Sequence, residues 1–566
     1  MVKSTPALPR ETFTGIRVLA HSVDSGEAEF NRRPELGEHL GTATFRALAR
    51  DPRREVVVDH VPARRAIDAG TLLAVAIALS RRWRRHFREH RIGIVLPPGI
   101  GAFAANLALT LAGKTPVNLN FVIGRASVAA AMRKGGITRV ISAPALREKV
   151  PDFPWPEATH DIAAEIAACG KPRIAGWLAA IRALPAGFLA RQLRLPAHGG
   201  DREAALLFTS GSAGEPKGVV LTHRNILGNC RQTRETGLLH PGETMIGCLP
   251  VFHSFGFTVT MWYPMLHDMR VAAFPSPLET RRIAEIIDAE KARVLIGAPT
   301  FLRPFLKRAD PGQLRSLRLV VAGAEKLPRD LSDAFLERFG LPIREGYGLT
   351  ETTPVLAVSR PDPVPLKSGG TGEGHRSGSV GLLVDGVQAR VVDPETRQAL
   401  PTGDTGVLAV RGCNVFGGYL DDPAATAAVL RDGWFYTGDL ARFDEDGFLY
   451  IEGRLSRFSK IGGEMVPHGT VEQRIIEAFG WQAAEAQPVV VVGVPDEAKG
   501  EALIVLSTQD LPTELMRARL LEGGLPVLWV PKRVVRVDRI PVLGSGKLDL
   551  TGCRQTARGS AEDGRA

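Results

Sequence analysis

The glycine- and hydroxyl-rich segment at residues 206–223 has the clearest chemical signature, Leu206-Leu-Phe-Thr-Ser-Gly-Ser-Ala-Gly-Glu-Pro-Lys-Gly-Val-Val-Leu-Thr-His223. Backbone N–H groups and hydroxyls in such a loop can surround phosphate oxygens, while a lysine adds a point charge. It is not a Walker A loop, because Pro216 precedes the lysine and glycine follows it where Ser or Thr would hold magnesium. The sequence therefore predicts a phosphate-binding loop composed of Thr209, Ser210, Gly211, Ser212, Gly214, Lys217 and Gly218.

Further segments with residue types that suit a nucleotide site follow along the chain. In order they are Pro250-Val-Phe-His-Ser-Phe-Gly256, Gly297-Ala-Pro-Thr300, Val321-Ala-Gly-Ala-Glu325, Glu345-Gly-Tyr-Gly-Leu-Thr-Glu351, Gly433-Trp-Phe-Tyr-Thr-Gly-Asp439, Gly453-Arg454, Lys460-Ile-Gly-Gly-Glu-Met465 and Pro541-Val-Leu-Gly-Ser-Gly-Lys547. Together with the phosphate-binding loop they resemble the acyl-adenylate-forming enzymes, which include acyl-CoA synthetases, acyl-carrier-protein synthetases, luciferases and the adenylation domains of peptide synthetases. The resemblance covers approximately residues 66–550. It implies attack of a carboxylate on the α-phosphate of ATP with release of pyrophosphate.

The resemblance also implies an ATP site. Tyr347 would stack on adenine with the backbone of residues 323–325 opposite, and Asp439 would accept hydrogen bonds from the ribose hydroxyls. Arg454 would donate near the ribose or the α-phosphate. Beyond the phosphate-binding loop, the expected ATP-binding residues are Gly323, Ala324, Glu325, Glu345, Gly346, Tyr347, Gly348, Asp439 and Arg454.

Four residues are expected to act in catalysis by the same resemblance: Lys547, Glu351, Thr350 and Lys217. Glu351 offers a carboxylate to Mg²⁺, which typically binds one or two protein carboxylates together with phosphate oxygens. Thr350 beside it could hydrogen-bond the α-phosphate. Lys547 would bring an ammonium to the reacting carboxylate and α-phosphate when the C-terminal domain closes.

The second half-reaction would pass the acyl group from AMP to a phosphopantetheine thiol. In the family the C-terminal domain rotates between the two steps, so that pantetheine enters beside Gly463. Ser456 stands at the hinge position where the family usually has Asp or Lys. His253, between two phenylalanines, resembles the gate at which the acyl tunnel meets the nucleotide site.

The acceptor thiol is the least determined part of this interpretation. Five motifs are together closest to the ligase half of bacterial acyl-[acyl-carrier-protein] synthetase/2-acylglycerophosphoethanolamine acyltransferase: Pro275-Ser-Pro-Leu, Val321-Ala-Gly-Ala-Glu-Lys-Leu, Lys460-Ile-Gly-Gly-Glu-Met-Val, Lys499-Gly-Glu-Ala-Leu and Pro541-Val-Leu-Gly-Ser-Gly-Lys. This resemblance favours a fatty acid as substrate and acyl carrier protein as acceptor. About 65 residues precede the match and no His is followed five residues later by Asp, so we expect the acyltransferase activity to be absent. The alternatives are a long-chain acyl-CoA synthetase using coenzyme A, an adenylate-only fatty acyl-AMP ligase, and a non-catalytic membrane-bound lipid- or carrier-binding protein.

Alternation of apolar strands and helical patterns predicts the elements that position these residues. The chain should have an α/β fold: a large N-terminal AMP-binding domain of βα units (1–455), with a β-rich subdomain at about 378–455, and a small mobile α+β C-terminal domain (456–553). A helix is predicted over 66–79, and a disordered tail over 554–566. A long loop is predicted at 361–379.

Charge and cysteine content suggest where the protein works. The net charge is +10, with a basic run at 80–91 and an arginine-, leucine- and aromatic-containing helical segment at 171–197 around a kink at Pro185. Both suit an acidic carrier protein or an anionic membrane, so peripheral contact with the inner membrane is an expectation. No motif points to nucleic acid. Five widely spaced cysteines without CxxC spacing and an N-terminus without a signal peptide favour the cytoplasm.

Overall fold

The computed structural model describes residues 29–210, 215–462, 464–481, 487–496, 499–542 and 548–562. Three parts of the sequence interpretation lie outside these residues: the turn of the phosphate-binding loop (Gly211, Ser212 and Gly214), Gly463, and Lys547.

The N-terminal region alternates strands and helices, as the sequence predicts. Its strands are β1 (Glu55–Asp59), β2 (Arg65–Asp68), β3 (Arg91–Ile94), β4 (Thr115–Asn118), β5 (Arg139–Ser142), β6 (Ala158–Asp161), β7 (Glu203–Ser210), β8 (Pro216–Thr222), β9 (Thr244–Gly247), β10 (Arg270–Ala273), β11 (Val294–Gly297), β12 (Leu319–Ala322), β13 (Ile343–Gly348), β14 (Val355–Val358), β15 (Val364–Pro365), β16 (Thr371–Gly372) and β17 (Leu382–Leu383).

The helices of this region cover the faces of its sheets. They are α1 (Leu40–Arg50), α2 (Ala69–His86), α3 (Ile100–Leu111), α4 (Arg125–Gly135), α5 (Pro144–Lys149), α6 (Ile162–Cys169), α7 (Lys171–Ala183), α8 (Ala186–Gln192), α9 (His223–Glu235), a π-helix (Phe255–Trp262), α10 (Tyr263–Leu266), α11 (Thr280–Glu290), α12 (Pro299–Leu302), α13 (Phe305–Arg308) and α14 (Arg329–Phe339). Short 3₁₀ turns occupy Pro34–Gly37, Pro311–Leu314 and Thr350–Thr352.

The largest sheet within the described residues has nine strands in the order β17-β14-β13-β12-β11-β9-β10-β1-β2. From β1 to β13 neighbouring strands are parallel, and β2, β14 and β17 add antiparallel edges. Strands β11 and β12 are buried at every position, as expected of parallel strands covered on both faces. Strands β3 to β6 form a second, all-parallel sheet, and β7 pairs with β8 as a hairpin.

The helix predicted over 66–79 begins later than expected. Residues 65–68 form β2, and α2 starts at Ala69 because the Asp68 carboxylate accepts a hydrogen bond from Thr71 N at 2.6 Å. An aspartate at this position satisfies a free amide of the first helical turn and sets where the helix begins.

The β-rich subdomain follows as a five-stranded sheet of described residues. Its strands are β18 (Gln388–Val392), β19 (Gly406–Arg411), β20 (Leu430–Arg431), β21 (Trp434–Phe443) and β22 (Leu449–Arg454), with helix α15 (Pro423–Val429). The loop expected at 361–379 is irregular apart from the two-residue strands β15 and β16.

The C-terminal region is α+β. It contains a 3₁₀ turn (Leu455–Arg457), β23 (Phe458–Ile461), β24 (Glu464–Pro467), α16 (His468–Phe479), β25 (Val489–Asp496), β26 (Gly500–Ser507), α17 (Thr513–Glu522), a 3₁₀ turn (Val527–Trp529), β27 (Arg533–Arg536) and α18 (Leu550–Glu562). It meets the β-rich subdomain where Leu455, Phe458 and Met465 pack against Val392 and Leu440.

The prediction of a disordered tail is wrong for residues 554–562, because these residues continue helix α18. Cys553 and Ala557, four residues apart, are fully buried against Val490, Val492 and Leu506. Small side chains at this spacing form a helix face that packs closely on a sheet, although they give a weak signal in the sequence. Residues 563–566 lie outside the described range.

No helix among the described residues is both long enough and apolar enough to cross a membrane.

Candidate active site

The hairpin of β7 and β8 carries the two ends of the predicted phosphate-binding loop. Thr209 lies opposite Lys217, and Ser210 lies opposite Pro216. Gly218 accepts a hydrogen bond from Leu420 N at 2.8 Å. A Cβ atom on this glycine would lie 3.1 Å from Leu420 Cβ, so glycine lets the 416–420 segment approach the hairpin closely.

Tyr419 connects two predicted site residues that lie far apart in the sequence. Its hydroxyl donates a hydrogen bond to Glu351 Oε1 at 2.8 Å, and Lys217 Nζ lies 4.9 Å from the centre of its ring. Burial and the adjacent Glu351 carboxylate raise the pKa of Tyr419, so the hydroxyl keeps its proton and remains a donor at neutral pH. Sequence reasoning did not select Tyr419, because nothing in the chain around it reveals a contact with residue 351.

The 3₁₀ turn Thr350–Thr352 presents Glu351 and Thr350 at the end of the central sheet. Thr350 Oγ1 lies within hydrogen-bond distance of Ser254 Oγ, at 3.3 Å. Phe416 N donates to the backbone carbonyl of Glu351 at 2.8 Å. The turn is therefore held by the segment before the π-helix on one side and by the 416–420 segment on the other.

Four buried amide side chains fix the backbone that follows this turn; we call them the amide cluster (Asn225, Asn229, Gln232 and Asn414). Asn414 Nδ2 donates to Thr352 O at 2.9 Å, and Asn229 exchanges hydrogen bonds of 2.8 and 3.0 Å with the backbone of Val355. Gln232 joins them by donating to Asn414 Oδ1 at 3.4 Å.

The amide cluster also explains why a buried face of helix α9 carries polar side chains. Residues 225, 229 and 232 follow helical spacing and so share one face, which is directed at β14 and at the 413–415 segment that follows β19. Asn225 donates to the carbonyls of Cys413 and Val415 at 2.8 and 2.9 Å. Polar residues on a buried helix face were not singled out from the sequence, although their spacing was available there.

Asp439, Arg454 and Tyr347 form the second part of the site. Asp439 on β21 lies opposite Arg454 on β22, with Arg454 Nε 2.7 Å from Asp439 Oδ1. The Tyr347 hydroxyl, at the end of β13, donates a hydrogen bond to Asp439 Oδ2. The residue predicted to stack on adenine therefore also touches the predicted ribose acceptor.

The electrostatic interaction between Glu351 and Asp439 indicates that the two parts of the site lie close together. Burial raises the pKa of Asp439, whereas Arg454 and the hydrogen bond from Tyr347 oppose this rise. The negative charge of Glu351 adds to the rise, so the two carboxylates are close enough to repel each other. Lys217 and Glu351, which both contact Tyr419, therefore lie near the group formed by Tyr347, Asp439 and Arg454.

The segment after β12 lies next to β13. Ala322 pairs with Glu345, so residues 323–325, which follow β12, lie beside residues 346–348 in the second half of β13. Ala324 has a φ of 70°, and the exposed Glu325 accepts hydrogen bonds from Thr300 N and Oγ1 at 3.3 and 3.1 Å. Burial raises the pKa of the Glu345 carboxyl to about 7.

Gly348 on β13 allows a close backbone approach at this edge. A Cβ on Gly348 would lie 1.8 Å from Pro354 O, a distance no side chain tolerates. A Cβ on Gly323 would lie 3.0 Å from the Phe255 ring. The glycines of the two adenine-site motifs therefore keep β13, the 350–355 turn and the π-helix in contact.

His253 lies just before the π-helix Phe255–Trp262. The ring of His253 is 4.7 Å from that of Phe252, which in turn contacts Phe121 at 5.2 Å. The π-helix is buried from Gly256 to Trp262. π-Helical turns occur frequently at functional sites, so this geometry is compatible with the proposed gate.

Ser456 lies in the 3₁₀ turn that joins the β-rich subdomain to the C-terminal region. Its carbonyl accepts a hydrogen bond from Arg554 Nη2 at 2.8 Å. The roles expected of Lys547 and Gly463 cannot be placed, because these residues lie outside the described range.

In this arrangement the carboxylate of Glu351 is a suitable protein ligand for Mg²⁺. Glu351 Oε1 is held by Tyr419, and Glu351 is only partly buried. No group of three or more His, Cys, Asp or Glu side chains among the described residues could hold a metal ion. The residues present fit an ion bound by Glu351 together with the phosphate oxygens of a nucleotide.

A family model described as AMP-binding enzyme matches residues 45–420, well over half of the chain. The chain belongs to the AMP-binding enzyme family. The sequence-based assignment to the acyl-adenylate-forming enzymes, with an α/β fold and membership of the AMP-forming acid–thiol ligases, is confirmed at this level.

Relatives within the AMP-binding family include ligases that act on different acids. Feruloyl-CoA synthase of Amycolatopsis sp is 32% identical over 399 residues, or 65% of this chain and 75% of that protein. Long-chain-fatty-acid–CoA ligase of Salmonella typhimurium is 30% identical over 367 residues, 64% of this chain and 63% of that protein. The Bacillus subtilis long-chain-fatty-acid–CoA ligase is 33% identical over 358 residues, 61% and 60% of the two chains.

Solved structures extend the similarity through the C-terminal region. ATP-bound MatB from Rhodopseudomonas palustris is 25% identical with a TM-score of 0.71, covering 92% of this chain and 99% of that one. MenE, the o-succinylbenzoate CoA synthetase of Bacillus subtilis, in complex with ATP and magnesium ion, has a TM-score of 0.73, covering 90% and 98% of the two chains. At 20% identity the second likeness concerns the fold alone.

Proposed function

We propose that this AMP-binding family member is an ATP- and Mg²⁺-dependent ligase that activates a fatty acid as acyl-AMP and transfers the acyl group to coenzyme A. The observation that carries the proposal is the convergence of Lys217, Tyr347, Glu351, Asp439 and Arg454. These residues come from four strands and one turn, and each has a role in binding or polarising a nucleotide.

The chemistry follows from how those residues are held. A carboxylate oxygen of the acid attacks the α-phosphorus of ATP, the bond to the β-phosphate breaks, and pyrophosphate leaves. Catalysis of such a transfer is mostly positioning and stabilisation of charge. Lys217 and the ends of the β7–β8 hairpin would hold the leaving phosphates, Thr350 would donate to the α-phosphate, and Asp439 with Arg454 would fix the ribose.

A bound Mg²⁺ would neutralise phosphate charge, with Glu351 as its protein ligand. Tyr419 acts through Glu351 by donating to one of its oxygens. The remaining ATP-site residues, Gly323 to Glu325 and Glu345 to Gly348, would form the walls around adenine.

We favour coenzyme A as the acceptor thiol, although the sequence motifs by themselves favour acyl carrier protein. The names of the feruloyl and long-chain fatty acid relatives support coenzyme A as the thiol. Acyl carrier protein remains the second candidate because the motifs at 275–278, 460–466 and 541–547 resemble the carrier-protein branch. In either case pantetheine would enter beside Gly463, with Lys547 withdrawn by rotation about Ser456.

A reducing compartment is part of the proposal. All five cysteines are buried and free, as is usual for a protein of the cytoplasm.

The test is transfer of labelled palmitate in the presence of ATP and Mg²⁺, with coenzyme A and holo-acyl carrier protein offered separately and in competition. Ferulate serves as a second acid. We expect palmitoyl-CoA to form faster than palmitoyl-carrier protein. Preference for the carrier protein would overturn the acceptor, and preference for ferulate would overturn the fatty acid. Formation of acyl-AMP without either thioester would indicate an adenylate-only ligase.

A further inference from the structure

The hairpin of helices α7 and α8 carries a surface that the proposed reaction does not use. Between Glu165 and Asp201 the chain contains no Asp or Glu, although it contains Lys171, Arg173, Arg182, Arg191 and Arg194. A surface segment of this length normally mixes both charge signs. The exclusion of acidic residues therefore points to an anionic partner.

The hairpin is firmly packed on the N-terminal domain. Ile181 is 3% exposed, and Arg182 forms an ion pair of 2.8 Å with Asp68 at the start of helix α2. At the other end of α2, the Arg81 guanidinium lies 5.5 Å from the Trp177 ring. The inner faces of α7 and α8 are thus committed to the fold, and only their outer face is available.

The outer face combines apolar and basic side chains. Leu184 and Phe188, on either side of Pro185, are 42% and 50% exposed at the turn between the helices. Lys171, Arg191 and Arg194 are exposed and make no ion pair or side-chain hydrogen bond with any described residue. By contrast, several arginines of the basic run at 80–91 are engaged: Arg82 with Glu165, Arg84 with Leu111 O and Arg91 with Glu203.

We propose that this outer face of α7–α8 docks the enzyme on the surface of an anionic phospholipid bilayer. Leucine and phenylalanine at the turn would enter the boundary between headgroups and acyl chains, while the arginines and lysine would remain among the phosphates. Each Lys or Arg near such a surface favours binding. An acidic carrier protein could pair with the same charges, but it offers no reason for two exposed apolar residues in a segment free of acids.

The test is flotation of the full-length enzyme with vesicles of phosphatidylcholine alone and of phosphatidylcholine mixed with phosphatidylglycerol. We expect binding to the mixed vesicles that weakens as salt is raised. Two variants separate the contributions: Leu184→Ser with Phe188→Ser, and Lys171→Gln with Arg191→Gln and Arg194→Gln. Each should reduce the partition coefficient at least about tenfold and leave coenzyme A ligation of a soluble short-chain acid unchanged.

Matched controls come from exposed residues elsewhere on the chain. Leu278→Ser with Leu336→Ser removes two apolar side chains that are 65% and 50% exposed. Arg281→Gln with Arg315→Gln and Arg329→Gln lowers the net charge by the same amount as the basic triple variant, at exposed positions. Both controls should float with the vesicles as the parent does.

The proposal is overturned if the parent does not float with mixed vesicles, or if both hairpin variants float as well as their controls. It is also overturned if the parent binds holo-acyl carrier protein instead and the basic triple variant loses that binding. Because the readout is vesicle binding, its failure is distinct from failure of the ligase reaction.

Discussion

Arg454 Nε lies 2.7 Å from Asp439 Oδ1, and the two residues face each other across neighbouring strands β21 and β22. The backbone register fixes this pair before any nucleotide binds. Asp439 is 3% exposed, whereas about half of the Arg454 side chain is exposed to solvent. A buried acceptor with a reachable cation beside it suits a ligand that combines hydroxyls and phosphate.

We expect Asp439→Asn to weaken ATP binding about 10- to 100-fold, because hydrogen bonds to a charged acceptor contribute roughly 1.5–3 kcal/mol. Isothermal titration with ATP measures the change directly. Asp404→Asn, at an exposed site of the same subdomain, is the control and should bind ATP as the parent does. Equal affinity in Asp439→Asn and the control would rule out the ribose role.

Tyr419→Phe should raise the Mg²⁺ concentration needed for half-maximal adenylation several-fold. The hydroxyl that orients Glu351 at 2.8 Å is lost, while the ring beneath Lys217 remains. Adenylation is measured as a function of Mg²⁺ at saturating ATP. Tyr436→Phe, on β21 of the β-rich subdomain, provides the comparison. A uniform fall in rate with an unchanged Mg²⁺ dependence would show that Tyr419 has a structural role only.

Asn414→Leu should reduce the thermal stability of the enzyme and also its turnover. It leaves the amide of Gln232 and the carbonyl of Thr352 short of a partner, and each unsatisfied buried group costs roughly 1–3 kcal/mol. In a protein of this size the unfolding entropy is large, so the same free energy corresponds to a fall in Tm of about 2–5 °C. Calorimetry checks stability, and turnover is measured well below the new Tm. If turnover is retained there, the amide cluster does not position the 350–355 turn.

Stability should fall as the pH drops below about 6.5, because burial lowers the pKa of His39 to about 4 and that of His223 to about 3. These rings, 4.1 Å apart, remain neutral in the folded protein while the unfolded chain takes up protons. Their contribution is complete above pH 6.5 and is lost at about 1.4 kcal/mol per pH unit for each histidine until the folded pKa is reached.

The pH dependence of Tm checks this sign. His39→Leu should make the profile less steep between pH 6.5 and 4.5 but keep a slope, because burial also lowers the pKa values of His223, His267 and His468. The exposed His86→Gln should leave the profile as in the parent. Stability that increases on acidification over this range would contradict the assignment.

Lys547→Ala should abolish formation of acyl-AMP but largely preserve thioester formation from supplied acyl-AMP, since we propose that the lysine acts only in the first step. The two half-reactions are measured separately. Equal loss of both half-reactions would contradict the domain-rotation proposal. The control is Lys532→Ala, at an exposed lysine of the same region, which should affect neither half-reaction.

Residues that belong to local motifs were predictable, because strand ends and glycine turns are determined by neighbours in the chain. Lys217, Tyr347, Glu351 and Asp439 were selected from their motifs, although the strands β8, β13 and β21 that carry or precede them were not predicted individually.

Contacts between distant segments were not predictable. Tyr419 meets Glu351 across 68 positions of sequence, and Asn225 meets Val415 across 190. Local periodicity does not encode such pairs, so the residues that hold the turn Thr350–Thr352 could be identified only in the folded structure. The boundary of α2 was missed for a different reason: the apolar pattern begins in β2, and the Asp68 cap separates the two elements.

The measurement that tests the central claim most directly is exchange of labelled pyrophosphate into ATP in the presence of palmitate and Mg²⁺. We expect exchange that requires the fatty acid and Mg²⁺, and that falls about 100-fold in Lys217→Met, which removes the charge beside the leaving phosphates. Absence of exchange, or exchange at the same rate without any carboxylic acid, would contradict the assignment of an acyl-adenylate-forming ligase.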